Sequence, residues 1–165
     1  MKLKTSNLIS GFKEKTYEIL VDQLEERGTI FEKKFIHCTL SSKLENGLIE
    51  LSGSIKVKPN YECVRCLDIY SKSLNLPIQL TLYHNSHNQI KNNRLDIVHI
   101  KKEQNYLDLN NIIADIIELA KPMKPLCKPN CKGLCPMCGI NKKNTCSCNF
   151  QRNRTDWGAL KNLTK

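Results

Sequence analysis

Apolar residues fall along this chain in two periods, and the points where the period changes mark out its elements. Between residues 12 and 26, Tyr17, Ile19, Leu20, Val21 and Leu24 are set among Lys, Glu and Asp. That spacing predicts a poorly capped helix ended by Gly28. Thr29 to Leu40 is rich in β-branched and aromatic residues and predicts a strand. From 48 to 63 the alternation is cleaner: Ile49, Leu51, Ile55, Val57, Tyr61 and Cys63 share one face, and Glu50, Ser52, Ser54 and Lys56 the other. After Cys66 the parity reverses, with Tyr70, Leu74, Leu76, Ile78, Leu80 and Leu82 at even positions. A reversal of phase requires a turn or a bulge. The turn therefore belongs at Cys63-Val64-Arg65-Cys66, which puts a cysteine pair at the tip of a hairpin.

Residues 85–94 show no period and read as an exposed loop, followed by a short strand at Leu95–Ile100. Leu109, Ile112, Ile113, Ile116, Ile117 and Ala120 then recur at helical spacing. This predicts an amphipathic helix over 108–120 with Asp108 as N-cap. Lys121-Pro122 stops it, and Pro122 and Pro125 lead into a cysteine-rich tail in which Asp156 caps a short helix through Trp157, Leu160 and Leu163. The expected fold class is α+β: an antiparallel β-rich core over 1–120 with a few helices. A zinc-ribbon-like, cysteine-rich module follows over 121–165.

Charge sharpens this division. Residues 121–165 hold ten Lys and Arg against one acid, Asp156, a net +9 of the chain's +10. Such a field draws phosphate backbones, although a solvated Lys-rich surface is the plainer explanation. No apolar run is long enough to span a membrane. The first ten residues lack the apolar stretch and small-residue cleavage site of a secretory signal. The expected compartment is the cytoplasm; a plastid stroma also fits, because a plastid-encoded protein needs no transit peptide.

Nine cysteines, an odd number in a reducing compartment, argue for metal rather than a disulfide framework. Six of them lie in Cys127-Lys-Pro-Asn-Cys131-Lys-Gly-Leu-Cys135-Pro-Met-Cys138-Gly139 and Cys146-Ser-Cys148. Two residues between thiolates allow both sulfurs to reach one tetrahedral Zn2+, and the glycine after the second lets backbone N–H groups turn back toward the sulfurs. Cys135, Cys138, Cys146 and Cys148 make the most compact ligand set. Three alternatives stay open. Cys127 or Cys131 replaces one member; or Cys127 and Cys131 join Cys63 and Cys66 in a second site; or a pair oxidises to a disulfide.

Cys63-Val-Arg-Cys66 also admits a thiol-redox reading, but such a motif should open a helix, and here it joins two strands. Cys38 reads as a small core residue. His37, His84, His87 and His99 have no nucleophile or carboxylate at useful spacing. Trp157 is a packing anchor, and Tyr61 and Tyr70 are better suited to the core than to stacking on a base.

Taken together, Cys63-Val-Arg-Cys66-Leu67, the helix leading into Lys124-Pro-Leu-Cys127, the Cys131-Lys-Gly-Leu-Cys135-Pro-Met-Cys138-Gly-Ile-Asn141 stretch and Cys146-Ser-Cys148 resemble the YceD family, the large ribosomal RNA subunit accumulation proteins. The resemblance runs from about residue 45 to the C-terminus and is specific in the Cys-Lys-Gly-Leu-Cys-Pro-x-Cys-Gly stretch. Some branches of the family keep the hairpin pair and lack the later cysteines, which favours one zinc on the downstream four. This chain departs from the family in its middle loop, where Lys91 and Arg94 replace acids, and before its last helix, where Asn153-Arg-Thr-Asp156 replaces a proline.

The resemblance implies a non-enzymatic factor for 23S rRNA accumulation and large-subunit assembly. Its expected partner is precursor rRNA or a large-subunit ribosomal protein, with no membrane and no small-molecule substrate. Lys121, Lys124, Lys128, Lys132, Lys142, Lys143, Arg152 and Arg154 are the expected phosphate contacts. The competing readings are a protein-interaction or transcription-associated zinc ribbon and, behind it, a thiol oxidoreductase.

Overall fold

The computed structural model describes residues 1–83, 97–101, 104–142 and 146–148. In chain order these form β1 (Lys2–Lys4), α1 (Thr5–Ser10), β2 (Phe12–Leu20), a 3-10 turn (Val21–Gln23), β3 (Ile30–Phe31), β4 (Phe35–Glu45) and β5 (Leu48–Val57). After them come β6 (Pro59–Glu62), β7 (Ile69–Ser71), β8 (Leu74–Tyr83), β9 (Ile97–His99), β10 (Tyr106–Asp108) and α2 (Asn110–Leu119). Among the described residues the chain is strand-rich with two α-helices, an α+β arrangement.

The main sheet runs β2-β4-β5-β8-β9, antiparallel except where β9 pairs in parallel with β8. Asn46-Gly47, both at positive φ (50° and 77°), close the β4–β5 hairpin. Asn and Gly reach that left-handed region at low cost, and their twist matches that of the flanking strands. One face of the sheet is the core: Ile19, Ile36, Cys38, Leu40, Ile49, Leu51, Ile55, Ile78 and Leu82 are buried there with Leu8 of α1 and Ile113 and Ile117 of α2. The parity reversal between the strands at 48–57 and 74–83 is what places both sets on this face.

The expected helix over 12–26 is not formed. Phe12–Leu20 is instead an edge strand paired with β4, Ile19 opposite Ile36 and Tyr17 opposite Cys38. Ile19 is buried while Lys13, Glu14, Lys15, Thr16 and Glu18 face outward. Charged residues suit a helix surface and a sheet edge equally well, and pairing with β4 decides between them. The strand expected at Thr29–Leu40 is split by a turn into β3 and β4, and β4 runs on to Glu45.

The helix expected over 108–120 is α2. Its N-cap position is Leu109 rather than Asp108, which lies one residue earlier and accepts the Asn110 N–H at 3.0 Å. Asp108 belongs to β10, which pairs with β1. Ala120 closes the helix at its C-terminus. The expected loop 85–94, His84, His87 and the terminal helix with Trp157 lie outside the described residues.

A second small sheet, β3-β6-β7, leads to the site. Tyr61 pairs with Tyr70 and Glu62 with Ile69, so the chain turns at Cys63–Asp68. Tyr61 is buried with its ring against Tyr70, the centroids 6.0 Å apart.

Candidate metal centres

The hairpin tip has a second copy in the tail. In the first, Cys63 N–H donates to the Asp68 carbonyl (3.0 Å) and Leu67 N–H to the Cys63 carbonyl (2.8 Å). In the second, Cys135 N–H donates to the Ile140 carbonyl (2.8 Å) and Gly139 N–H to the Cys135 carbonyl (2.9 Å). The fourth residue after the leading cysteine stands at positive φ in both, Leu67 at 61° and Gly139 at 71°. Both loops are therefore the same knuckle, a Cys-x-x-Cys whose backbone folds back under the leading sulfur. The β6–β7 strands carry one, and the Leu134–Asn141 bridge closes the other.

Four specific contacts hold the knuckles together. Val64 N–H donates to the Pro125 carbonyl (3.0 Å), and Leu134 N–H to the Arg65 carbonyl (3.1 Å). The Arg65 Nη1 donates to the Cys131 carbonyl (2.9 Å), and the Asn141 amide to Asp68 Oδ2 (3.0 Å). Gly133, at φ 71°, lies where a Cβ would come within 2.9 Å of the Arg65 carbonyl oxygen. Alanine at 133 combines that clash with a left-handed backbone. We expect Gly133→Ala to separate the knuckles at a cost of about 2 kcal/mol, read as lost amide-exchange protection at Leu134 and Lys142.

This docking gathers the cysteines into two groups of four, Cys63, Cys66, Cys127 and Cys131, and Cys135, Cys138, Cys146 and Cys148. Within each group the Sγ atoms lie within 4.8 Å of one another, so that each could hold a metal ion. Cys63 and Cys131 are 3.8 Å apart and Cys66 and Cys127 3.6 Å; Cys146 lies 3.5 Å from Cys135 and 3.4 Å from Cys138. Four thiolates at about 2.3 Å from a tetrahedral ion stand about 3.8 Å from one another, so the donor sets fit such an ion. All nine cysteines are free thiols. Cys127 and Cys131 lie with the hairpin pair rather than standing in for members of the downstream four.

The electrostatics follow from the knuckle backbone. Burial opposes ionisation of Cys63, but N–H groups of Cys127, Arg65 and Cys66 outweigh it and bring the thiol down to about 6. N–H groups of Cys138 and Met137 bring Cys135 to about 6 as well. Cys66 has the Asp68 N–H in its favour, yet burial and the thiols of Cys63, Cys131 and Cys127 push it up to about 12. Cys146 and Cys138 do the same to Cys148. Each group thus has one thiol ready to ionise and others held back by mutual repulsion, which a divalent cation would relieve.

Cys63 and Cys66 are buried and lie on the turn between β6 and β7 rather than at a helix N-terminus. Cys38 is buried in the main core, and burial lifts its thiol to about 11. Lys121, Lys124, Lys128, Lys132 and Lys142 are exposed; Lys143, Arg152 and Arg154 lie outside the described residues. The bracing roles of Arg65, Asp68, Gly133 and Asn141 were not legible in the sequence pattern. The signal that could have found them is the shared Cys-x-x-Cys spacing of 63–66 and 135–138, which points to two knuckles needing a common brace.

The chain is 37% identical over 71 residues to the large ribosomal RNA subunit accumulation protein YCED homolog 1, chloroplastic, of Zea mays, covering 42% of this chain and 24% of the maize protein. It is 29% identical over 91 residues to an uncharacterised protein of Mycobacterium bovis, covering 54% of this chain and 43% of that one. A Mycobacterium leprae protein, also uncharacterised, is 28% identical over 92 residues, 55% of this chain and 42% of its own. The chain thus spans less than half the length of each of these relatives. No solved structure matches it. The model of the family described as large ribosomal RNA subunit accumulation protein YceD matches residues 51–164, which take in both knuckles and all eight clustered cysteines, and the chain belongs to that family.

Proposed function

We propose that this protein is a non-enzymatic factor that supports 23S rRNA accumulation during large-subunit assembly. It docks on precursor rRNA or on a large-subunit ribosomal protein. The observation that carries the reading is the family match over the cysteine-rich half, joined to the run of exposed lysines around the two four-cysteine groups. A zinc ion on Cys135, Cys138, Cys146 and Cys148 would make the tail a rigid, ribbon-like support for Lys121, Lys124, Lys128, Lys132, Lys142, Lys143, Arg152 and Arg154. Such a support meets phosphates of folded RNA with little base readout.

Four sulfur ligands leave a tetrahedral ion no open position, so the metal's role here is structural rather than catalytic. In the cavity of about 320 Å3 between residues 21–31 and α2, Arg27 is tied to Asp115 at 3.0 Å and the Thr29 hydroxyl donates to Glu118. The cytoplasm or a plastid stroma is the compartment this role requires, and the maize relative is named as chloroplastic.

Exposed Val64, Leu67 and Ile69 on the first knuckle and Met137 and Ile140 on the second favour a ribosomal protein as the partner, since apolar tips gain little from phosphates. A zinc ribbon that binds proteins outside the ribosome is the second reading.

The test is the ratio of mature 23S to 16S rRNA in cells depleted of the protein. A selective fall in 23S is expected, restored by the wild-type chain and not by Cys135→Ser. An unchanged ratio would sink the assembly role and leave the interaction module in its place.

A further inference from the structure

We propose that Cys63, Cys66, Cys127 and Cys131 form a second closed metal centre, one that takes a soft divalent ion of the Zn2+ class and fastens the tail to the β6–β7 hairpin. The inference concerns how the tail is held and stands whether or not the rRNA reading does.

Three independent features of the structure lead to it. The first is geometry: the four sulfurs come from two stretches of chain, one pair from a strand turn and the other from the segment after α2, yet all lie within 4.8 Å of one another. Spacings of two residues (63 to 66) and three (127 to 131) both fall in the range that allows two sulfurs to share one tetrahedral ion. The second is the repeated knuckle. Its hydrogen bonds at Cys63 and Leu67 match those at Cys135 and Gly139 within 0.2 Å. Leu67 even keeps the left-handed backbone that glycine supplies in the second knuckle, which an L-residue adopts only when its surroundings demand it.

The third feature is protection and bracing. Cys63 and Cys66 are buried, whereas Cys138 and Cys148 are exposed. The contacts of Val64 with Pro125, of Arg65 with Leu134 and Cys131, and of Asp68 with Asn141 hold the two pairs in place through backbone and side chains that bear no sulfur. A preformed, sheltered set of four thiols fits a structural ion better than an exchanging disulfide pair. Soft thiolates in a tetrahedron select Zn2+ over harder ions such as Mg2+ or Ca2+. Eight cysteines are thereby divided four and four, and the ninth, Cys38, is in the core.

The experiment is a metal count on the full chain, by elemental analysis after purification and by titration of metal-free protein with Co2+. Tetrahedral thiolate sites give Co2+ intense visible bands. Two zinc ions per chain and a cobalt plateau at two equivalents are expected. The paired variants Cys63→Ser/Cys66→Ser and Cys146→Ser/Cys148→Ser should each fall to one. Only the first should open the segment between Leu119 and Cys127 to limited proteolysis. A wild-type plateau at one equivalent would overturn the proposal, and so would two ions surviving in the Cys63→Ser/Cys66→Ser chain. The wild-type plateau needs no variant to fold, and neither result depends on the rRNA ratio.

Discussion

With ions bound at the two four-cysteine groups as proposed, a strong chelator is expected to release the tail segment 121–142 while the main sheet stays folded. The two regions are held by different forces. The sheet and α2 bury a continuous core of Ile, Leu and Val that contains none of the clustered cysteines. In the tail, Cys135 is buried and Leu126 and Leu134 are only half-buried, while most of the remaining side chains face solvent. Its docking rests on a handful of hydrogen bonds, each a net contribution of about 1 kcal/mol. A structural zinc contributes on the order of 10 kcal/mol in small zinc-finger peptides, so ions bound as proposed would dominate this balance. Hydrogen exchange would show it: amides of Val64, Leu134, Cys135 and Gly139 should lose protection on chelation, and those of β4, β5 and β8 should keep theirs. Protection unchanged in the tail, or lost equally in the sheet, would contradict the separation.

Within the main sheet the largest effect of a single substitution is expected at Gly53, in the centre of β5 and opposite Leu40 of β4. A Cβ built there would stand 2.0 Å from the Thr39 carbonyl oxygen and 3.0 Å from the Leu40 Cα. Both are backbone atoms of a paired strand, so neither can swing aside as a side-chain end would. Gly53→Val must part β4 from β5, at a cost of about 3 kcal/mol or more. For a chain of this size that corresponds to a fall of roughly 10 °C in Tm in metal-replete buffer. Gly47→Ala is the control. It lies at φ 77° with nothing within 4 Å of the added carbon, so it carries only the left-handed backbone cost, about 1 kcal/mol. Equal losses at the two positions would mean that the close approach at Gly53 does not matter.

The sheet was legible where a strand is long and half-buried. Alternation over 48–57, its reversed parity over 74–83 and the turn between them can be read directly, because only one face of each strand meets the core. The edge strand β2 was not legible. Its Lys and Glu residues carry no sheet signal, and Tyr17, Leu20 and Leu24 fall at helical spacing as readily as Tyr17, Ile19 and Val21 alternate. Strands β1 and β10 have three residues each, too few for any period, and find each other across more than a hundred positions. At the candidate metal centres the cysteines themselves point to metal chemistry. Their division into fours was one of several alternatives that spacing left open, because it depends on how the hairpin tip meets the tail. Gly133 and Arg65 settle that through a close backbone contact, and such a contact leaves no pattern along the chain.

Cys63 and Cys131 are 68 positions apart, and Cys66 and Cys127 are 61. Closing a loop of that length costs little more than closing one half as long. The timing of closure is another matter. During synthesis the β6–β7 hairpin leaves the ribosome with one pair of thiols in hand and waits for the other until β8, β9, β10 and α2 have all emerged. Elongation at about 5–20 residues per second makes that wait several seconds. Throughout it Cys63 and Cys66 would supply at most half of the ligands of the proposed ion, so a nascent chain stalled before Cys131 would carry an open, exchangeable site. With the second site filled as proposed, the tail would lock only once Cys131 has emerged, and a chain cut short before it could not present the docked hairpin.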